Sequence, residues 1–197
     1  MNLNLSNGII FGATGLVGSK ISIEMAKKGC KLILHSKTKK KLEELNDKIV
    51  KIGRKPTLVN FNVEKYGNYK NLGSLLSQKF ERIDFCINTI GLMNKFCPLT
   101  DLTFDEWDKL IEINLSSAWK ILKEIQPLIE KSSRPKIFFF SNSEISSGKP
   151  FFHAFSVARA GIETLAKVYQ EERKNFSYHV ETIKMQNLKA GVFNKNY

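Results

Sequence analysis

Cysteine and proline are scarce in this chain, which has 3 Cys and 5 Pro in 197 residues. The thiols Cys30, Cys86 and Cys97 are odd in number and lack metal-ligand spacing. That excludes a disulfide scaffold and a zinc module, and it leads us to expect reduced thiols and a cytoplasmic protein. Cys30 and Cys86 adjoin apolar segments and read as core. No apolar run approaches the roughly 20 residues that cross a bilayer, so no membrane span is expected. The opening residues MNLNLSNGIIFGATG lack a basic stretch before a long apolar core, so no secretory signal is expected either. Glycine, at 12 residues, is too sparse for a collagen-like chain, and 42% hydrophobic content is too high for a disordered one. Carboxylates are also in deficit: 31 Lys and Arg against 19 Asp and Glu leave a net charge of +12. That excess favours anionic partners such as nucleotides, although a solvated Lys-rich surface gives the same figure. What is present is the composition of a single globular domain over residues 1–197.

Short apolar runs alternate with amphipathic stretches. Gly8 to Phe11, Leu32 to Leu34, Leu58 to Phe61, Ile83 to Ile87, Ile137 to Phe140 and Val180 to Met185 read as strands. Between them Val17, Ile21 and Met25, then Leu42, Leu45, Ile49 and Ile52, then Leu72, Leu75, Leu76 and Phe80 keep helical spacing. A long helix opens at Thr103 with Glu106 as capping-box partner, and Pro127 is expected to bend or end it. Phe155, Ala158, Ile162, Leu165 and Tyr169 mark a last helix. The pattern predicts an α/β chain, a doubly wound Rossmann fold with a parallel sheet of about six strands and helices on both faces.

The first strand runs straight into Gly12-Ala13-Thr14-Gly15-Leu16-Val17-Gly18, and a helix follows at once. Gly12 permits the sharp turn, Gly15 lets backbone approach a pyrophosphate, and Gly18 lets the helix lie close to the sheet. The first N–H groups and the positive end of the helix dipole then face the phosphates. An unoccupied tight turn is the alternative for such a triplet taken alone.

Here the chain resembles the short-chain dehydrogenase/reductase family, and four later segments extend the resemblance in order over essentially the whole chain. Ile87-Asn88-Thr89-Ile90-Gly91 resembles the family's Asn-Asn-Ala-Gly segment. Glu112-Ile113-Asn114-Leu115 resembles the helix that carries its conserved Asn. Ile137 to Asn142 is similar to the strand that delivers its Ser. Phe155-Ser156-Val157-Ala158-Arg159-Ala160-Gly161 aligns with its Tyr-x-x-x-Lys-Ala-Gly helix. The Gly-x-x-Gly-x-x-Gly spacing is nearer the extended or atypical members of the family.

The resemblance implies a dinucleotide held by Gly12, Thr14, Gly15, Leu16, Val17, Gly18, Ser36, Lys37, Asn62, Val63, Asn88, Gly91 and Arg159. Strand two ends Leu34-His35-Ser36-Lys37-Thr38-Lys39-Lys40-Lys41, with no carboxylate before Glu43. A basic residue at that point accommodates a ribose 2′-phosphate, so NADP(H) is expected over NAD(H). A solvated basic turn or a nucleic-acid patch is the alternative. Nucleic acid is disfavoured because the cations are scattered and not interleaved with aromatics. Asn62 stands where the family has an Asp near the adenine.

The family's chemistry needs a Tyr hydroxyl to move a proton, a Lys one turn later to lower its pKa, and a Ser to polarise the substrate. This chain has Phe155 at the Tyr position and Arg159 at the Lys position. Thirteen residues before Phe155 stands Asn142, between Ser141 and Ser143, either of which a one-residue slip places in the site. Asn114 lies in an apolar helical stripe and alone reads as a buried structural amide. The resemblance implies that it holds a water of a proton relay. The residues after Met185 depart from the family, so a shortened substrate segment is expected, completed by a homodimer or another partner. Two functions stay open: reduction of a small carbonyl substrate through a non-standard site, and a catalytically inactive dinucleotide-binding sensor or partner subunit.

Overall fold

A computed structural model describes residues 6–185, without the side chains of residues 143 and 144. The expectation of a shortened carboxyl segment falls on residues 186–197 and lies outside the described residues, as does the Ser143 side chain. Strands β1 (Asn7–Phe11), β2 (Lys31–Ser36), β3 (Thr57–Asn60), β4 (Phe85–Asn88), β5 (Lys136–Ser141) and β6 (His179–Lys184) form one sheet in the order β3-β2-β1-β4-β5-β6. Every pairing is parallel. Consecutive parallel strands require crossovers, and the chain supplies helices there. These are α1 (Leu16–Lys27), α2 (Lys39–Val50), α3 (Leu72–Ser77), α4 (Phe104–Ile111), α5 (Ser117–Ile129), α6 (Ser143–Ser146) and α7 (His153–Glu172).

Alternation along the strands sends side chains to two separate cores. Ile9, Phe11, Ile33, Cys86, Ile137 and Phe139 meet residues of α3, α5 and α7 on one face. Ile10, Leu34, Phe85 and Ile87 meet α1 and α2 on the other. Burial on both faces explains why the central strands read as continuous apolar runs. Strand order reverses between β2-β1 and β4-β5, and that switch point opens a crevice at the carboxyl ends of β1 and β4.

Two local expectations change. The long helix does not stop at Pro127. It runs from α4 through a single π-helical turn (Glu112–Ser116) into α5, which ends at Ile129. Leu128 and Ile129 are each 1% exposed, and Leu128 O accepts from Ile83 N–H, so packing carries the last turn past the proline. In α1 the innermost face is Gly18, Ser22 and Ala26, while Val17, Ile21 and Met25 flank it half-buried. Small residues allow the closer approach. The Thr103–Glu106 capping box forms as expected.

His35 joins three parts of this scaffold. Its buried ring packs between Phe11 and Phe61, with centroids 5.4 and 4.0 Å away. Nδ1 accepts from Gly12 N–H at 3.4 Å, which leaves the proton on Nε2 to donate to Phe61 O at 3.1 Å. Burial holds the imidazole neutral and pushes its pKa down to about 4 from an ordinary 6.5. A base with a depressed native pKa takes up its proton first in the unfolded chain, so stability falls as pH drops from 6.5 towards 4. We expect His35 to contribute about 3 kcal/mol of that decline. Urea unfolding at a series of pH values should show the slope, and His35→Leu should flatten it.

Candidate functional site at the carboxyl ends of the strands

Where β1 ends, Gly12 takes φ +75°, a conformation that L side chains rarely adopt. The turn closes with Gly15 N–H donating to Gly12 O at 2.9 Å. A Cβ on Gly18 would lie 2.3 Å from that same carbonyl, so the first turn of α1 lies against the loop as only glycine allows. Thr89 braces the turn from β4, donating within reach of Phe11 O (2.8 Å) and Gly12 O (3.1 Å). Gly15 caps α1 without a side-chain hydrogen bond, so no side chain competes for the first N–H groups. Leu16, at the mouth, is 46% exposed.

The end of β2 is tied to this turn. Thr14 and Ser36 share a hydroxyl–hydroxyl hydrogen bond of 2.6 Å. Ser36 O accepts from Asn60 Nδ2, and Ser36 Oγ accepts from Thr38 N–H. Lys37, Lys39, Lys40 and Lys41 then stand exposed, and the first turn of α2 holds no carboxylate. The cations face a positive helix end, which a bound anion relieves. Beyond β3, Asn62 is half-buried with Oδ1 accepting from Glu64 N–H, while Val63 packs into the core.

Across the switch point, Asn88 Oδ1 accepts from Ile90 N–H and turns the chain towards Gly91. Asn114 sits in the π-helical turn, 2% exposed. Its Oδ1 accepts from Leu92 N–H and Arg159 Nη2, and its Nδ2 donates to Leu92 O and Leu110 O, all at 2.8 Å. The amide's donors and acceptors are thus filled by protein, and its side chain has no bond left for a relay water. Arg159 is 6% exposed and donates also to Phe140 O (2.9 Å) and Ile90 O (3.2 Å). Those partners are carbonyl and amide oxygens, and burial pushes the guanidinium pKa down to about 10, so it stays cationic at neutral pH. Its carbon lies 4.8 Å from the centre of the Phe155 ring, a cation–π contact inside the protein.

The two described candidates on the Ser side point elsewhere. Ser141 Oγ donates to Glu163 Oε1 at 2.8 Å, and Lys184 pairs with the other oxygen of that carboxylate at 3.3 Å. Burial pushes the Glu163 carboxyl up, but hydrogen bonds from Ser146, Ser141 and Lys184 outweigh it and hold the group below its ordinary range. Asn142 is fixed between Met185 O and Ile145 N–H. The structure therefore gathers the glycine turn, Ser36, Lys37, Asn88, Gly91, Asn114, Phe155 and Arg159 around the crevice, while the Ser141 hydroxyl and the Asn142 amide are committed within the fold. Sequence reasoning missed Thr89 and His35 as braces of the turn. A polar residue beside each strand end was the available signal.

Comparison with known proteins agrees with this geometry. The family profile described as short chain dehydrogenase matches residues 7–196. Among curated relatives, an NADPH-dependent aldehyde reductase-like chloroplastic protein of Arabidopsis thaliana is 23% identical over 84% of this chain and 66% of its own. The human 17-beta-hydroxysteroid dehydrogenase type 3 is 27% identical over 84% of this chain and 54% of its own. The chain thus spans about two thirds of the first relative's length and about half of the second's. Among solved structures, a short chain dehydrogenase of Shigella flexneri complexed with NADP superposes with TM-score 0.88 at 21% identity, over 94% of this chain and 79% of that one. One from Escherichia coli CFT073 complexed with NADPH gives 0.87 at 20%, over 94% and 78%. With the family profile matched over residues 7–196, the chain belongs to the short-chain dehydrogenase family.

Proposed function

We propose that the protein binds a nicotinamide dinucleotide, NADP(H) in preference to NAD(H), and is an oxidoreductase of the carbonyl–alcohol type with a non-standard catalytic site. The observation that carries the binding half is the glycine cradle, in which a Cβ at Gly18 would overlap Gly12 O at 2.3 Å beneath a helix start that no side chain caps. Such a start suits a pyrophosphate. The backbone of residues 12–18, with Thr14, Leu16 and Val17 around it, would hold that group. Ser36 and Lys37 would take the 2′-phosphate, Asn62 and Val63 the adenine side, and Asn88, Gly91 and Arg159 the nicotinamide half. The NADP and NADPH complexes of the two structural neighbours, and the name of the Arabidopsis relative, support the phosphorylated cofactor.

When bound, the cofactor supplies a hydride to a carbonyl carbon, and the chain must supply a proton to the oxygen. Phe155 has none. Arg159 keeps its protons at neutral pH and engages three oxygens. The Ser141 hydroxyl is committed to Glu163. Loss of the general acid removes about 10²–10⁴-fold in rate, so ordinary ketones should turn over slowly. The buried Phe155–Arg159 contact also favours the second reading, a sensor or partner subunit that binds the dinucleotide without using it.

Titration calorimetry should show NADPH binding tighter than NADH. Lys37→Ala should weaken NADPH about tenfold, the size of one charge-assisted contact of about 1.5 kcal/mol, and leave NADH unchanged. With a panel of aldehydes and ketones, NADPH consumption by the unmodified protein should run at least about a hundredfold below that of a relative with the full Tyr and Lys pair. Phe155→Tyr with Arg159→Lys should raise it. Phe155→Tyr alone should instead cost about 1–3 kcal/mol in urea unfolding, because the new hydroxyl enters an apolar cluster.

A further inference from the structure

A third apolar cluster, apart from the two that flank the sheet, roofs the carboxyl ends of β4 and β5. It consists of Met93, Ile145, Phe152 and Phe155, 0–6% exposed. Phe155 ties it to the crevice through the Arg159 guanidinium, which bonds to Ile90 O and Phe140 O. Phe152 enters from a segment whose backbone is bent three times. Gly148 has φ 96°, Phe151 has φ 66° and His153 has φ 31°. The glycine adopts such an angle freely, but the Phe and His do not. Phe151 is 57% exposed, so no burial of its own ring holds it there. The segment is tied to the loop after β4, and Lys149 stands over the Phe152 ring at 5.4 Å. Phe152 meets Phe96 edge-on at 5.1 Å, and His153 Nε2 bonds with Lys95 O at 2.8 Å.

The same arrangement leaves polar atoms unmatched. His153 Nδ1, Ser156 Oγ and Arg159 Nε are buried without hydrogen-bond partners, and all three residues are more than nine-tenths buried. Strain at two residues and three orphaned polar atoms raise this arrangement towards any competing one.

We propose that residues 148–153 are a latch over the substrate side of the crevice, with Phe152 as its bolt, and that its withdrawal opens an apolar pocket for a flat, hydrophobic carbonyl compound. The flat, apolar character follows from what remains when Phe152 leaves, Met93, Ile145 and the face of Phe155, and the carbonyl follows from the oxidoreductase reading of the crevice. The proposal rests on the reading of the crevice as a dinucleotide site.

The test titrates the full chain with the neutral fluorescent naphthyl ketone prodan, beside separate titrations with NADPH. Phe152→Ala removes the bolt and should tighten prodan binding about fivefold or more. Phe151→Asn supplies a residue that tolerates positive φ, relieves the closed form and should weaken prodan binding about fivefold. A residue that only supports the fold would not move the two variants in opposite directions. Neither change should alter NADPH affinity. Shifts of equal sign, or the same prodan affinity in all three proteins, overturn the latch. If Phe152→Ala does not fold, the Phe151→Asn shift decides alone. Failure of the unmodified protein to bind NADPH would instead overturn the dinucleotide reading and leave the prodan result standing as a property of the cluster.

Discussion

The crevice depends on one buried cation. Arg159 reaches from α7 to the ends of two adjacent strands, donating to Ile90 O past β4 and Phe140 O within β5, and to the Asn114 amide in the π-helical turn. Taking a guanidinium out of water is costly unless acceptors replace its hydration. Here two carbonyls and the Asn114 oxygen do so at Nη1 and Nη2, while Nε has no partner, and the geometry of three separate segments is fixed in return. Gly91 lies under the same group: a Cβ there would stand 3.5 Å from Arg159 Nη2. The floor of the crevice on that side is therefore set by electrostatics as much as by packing.

Phe155 and Arg159 are better understood as one unit than as two separate departures from the family pattern. A Tyr beside a Lys passes protons, and the lysine's compact charge depresses the phenol pKa. A Phe beside an Arg instead offers a ring face to a planar, weakly hydrated cation. The pair contributes cohesion and carries no phenol. The Asn114 side-chain oxygen joins the same unit, accepting from Arg159 and from Leu92 N–H.

Much of this was legible in the sequence. Burial on both sheet faces makes the strands read as apolar runs, and the glycine triplet announces a turn whose sterics the structure bears out at Gly18. That a phenylalanine, with no proton to give, stands at position 155 is legible from the sequence alone. Less legible was anything decided by side-chain direction. Asn142 and Ser141 occupy adjacent positions at a strand end, where successive side chains point oppositely, and sequence does not say which of the two side chains meets Glu163. Pro127 does not end the helix because its local penalty competes with the burial of Leu128 and Ile129, which arises only in tertiary structure. The close-packed face of α1 was hidden for a related reason: its contact residues Gly18, Ser22 and Ala26 are small and do not form a hydrophobic stripe.

Strand β1 pairs with β2 on one side and β4 on the other, with Gly8 opposite Leu32 and Phe85. The first pairing closes a short stretch of chain, and the second a much longer one. Thr89 adds its brace to Gly12 across the same long interval, and Arg159 arrives later still. The glycine turn, although nearly first in sequence, is therefore completed by residues that leave the ribosome long after it. A nascent chain that ends before β4 holds β1 with one edge unpaired and apolar on both faces, a species prone to association. Non-local parallel pairing of this kind also slows folding. The window in which the chain is vulnerable is thus set by strand order, and a chaperone that shields the β1 edge would act during that interval.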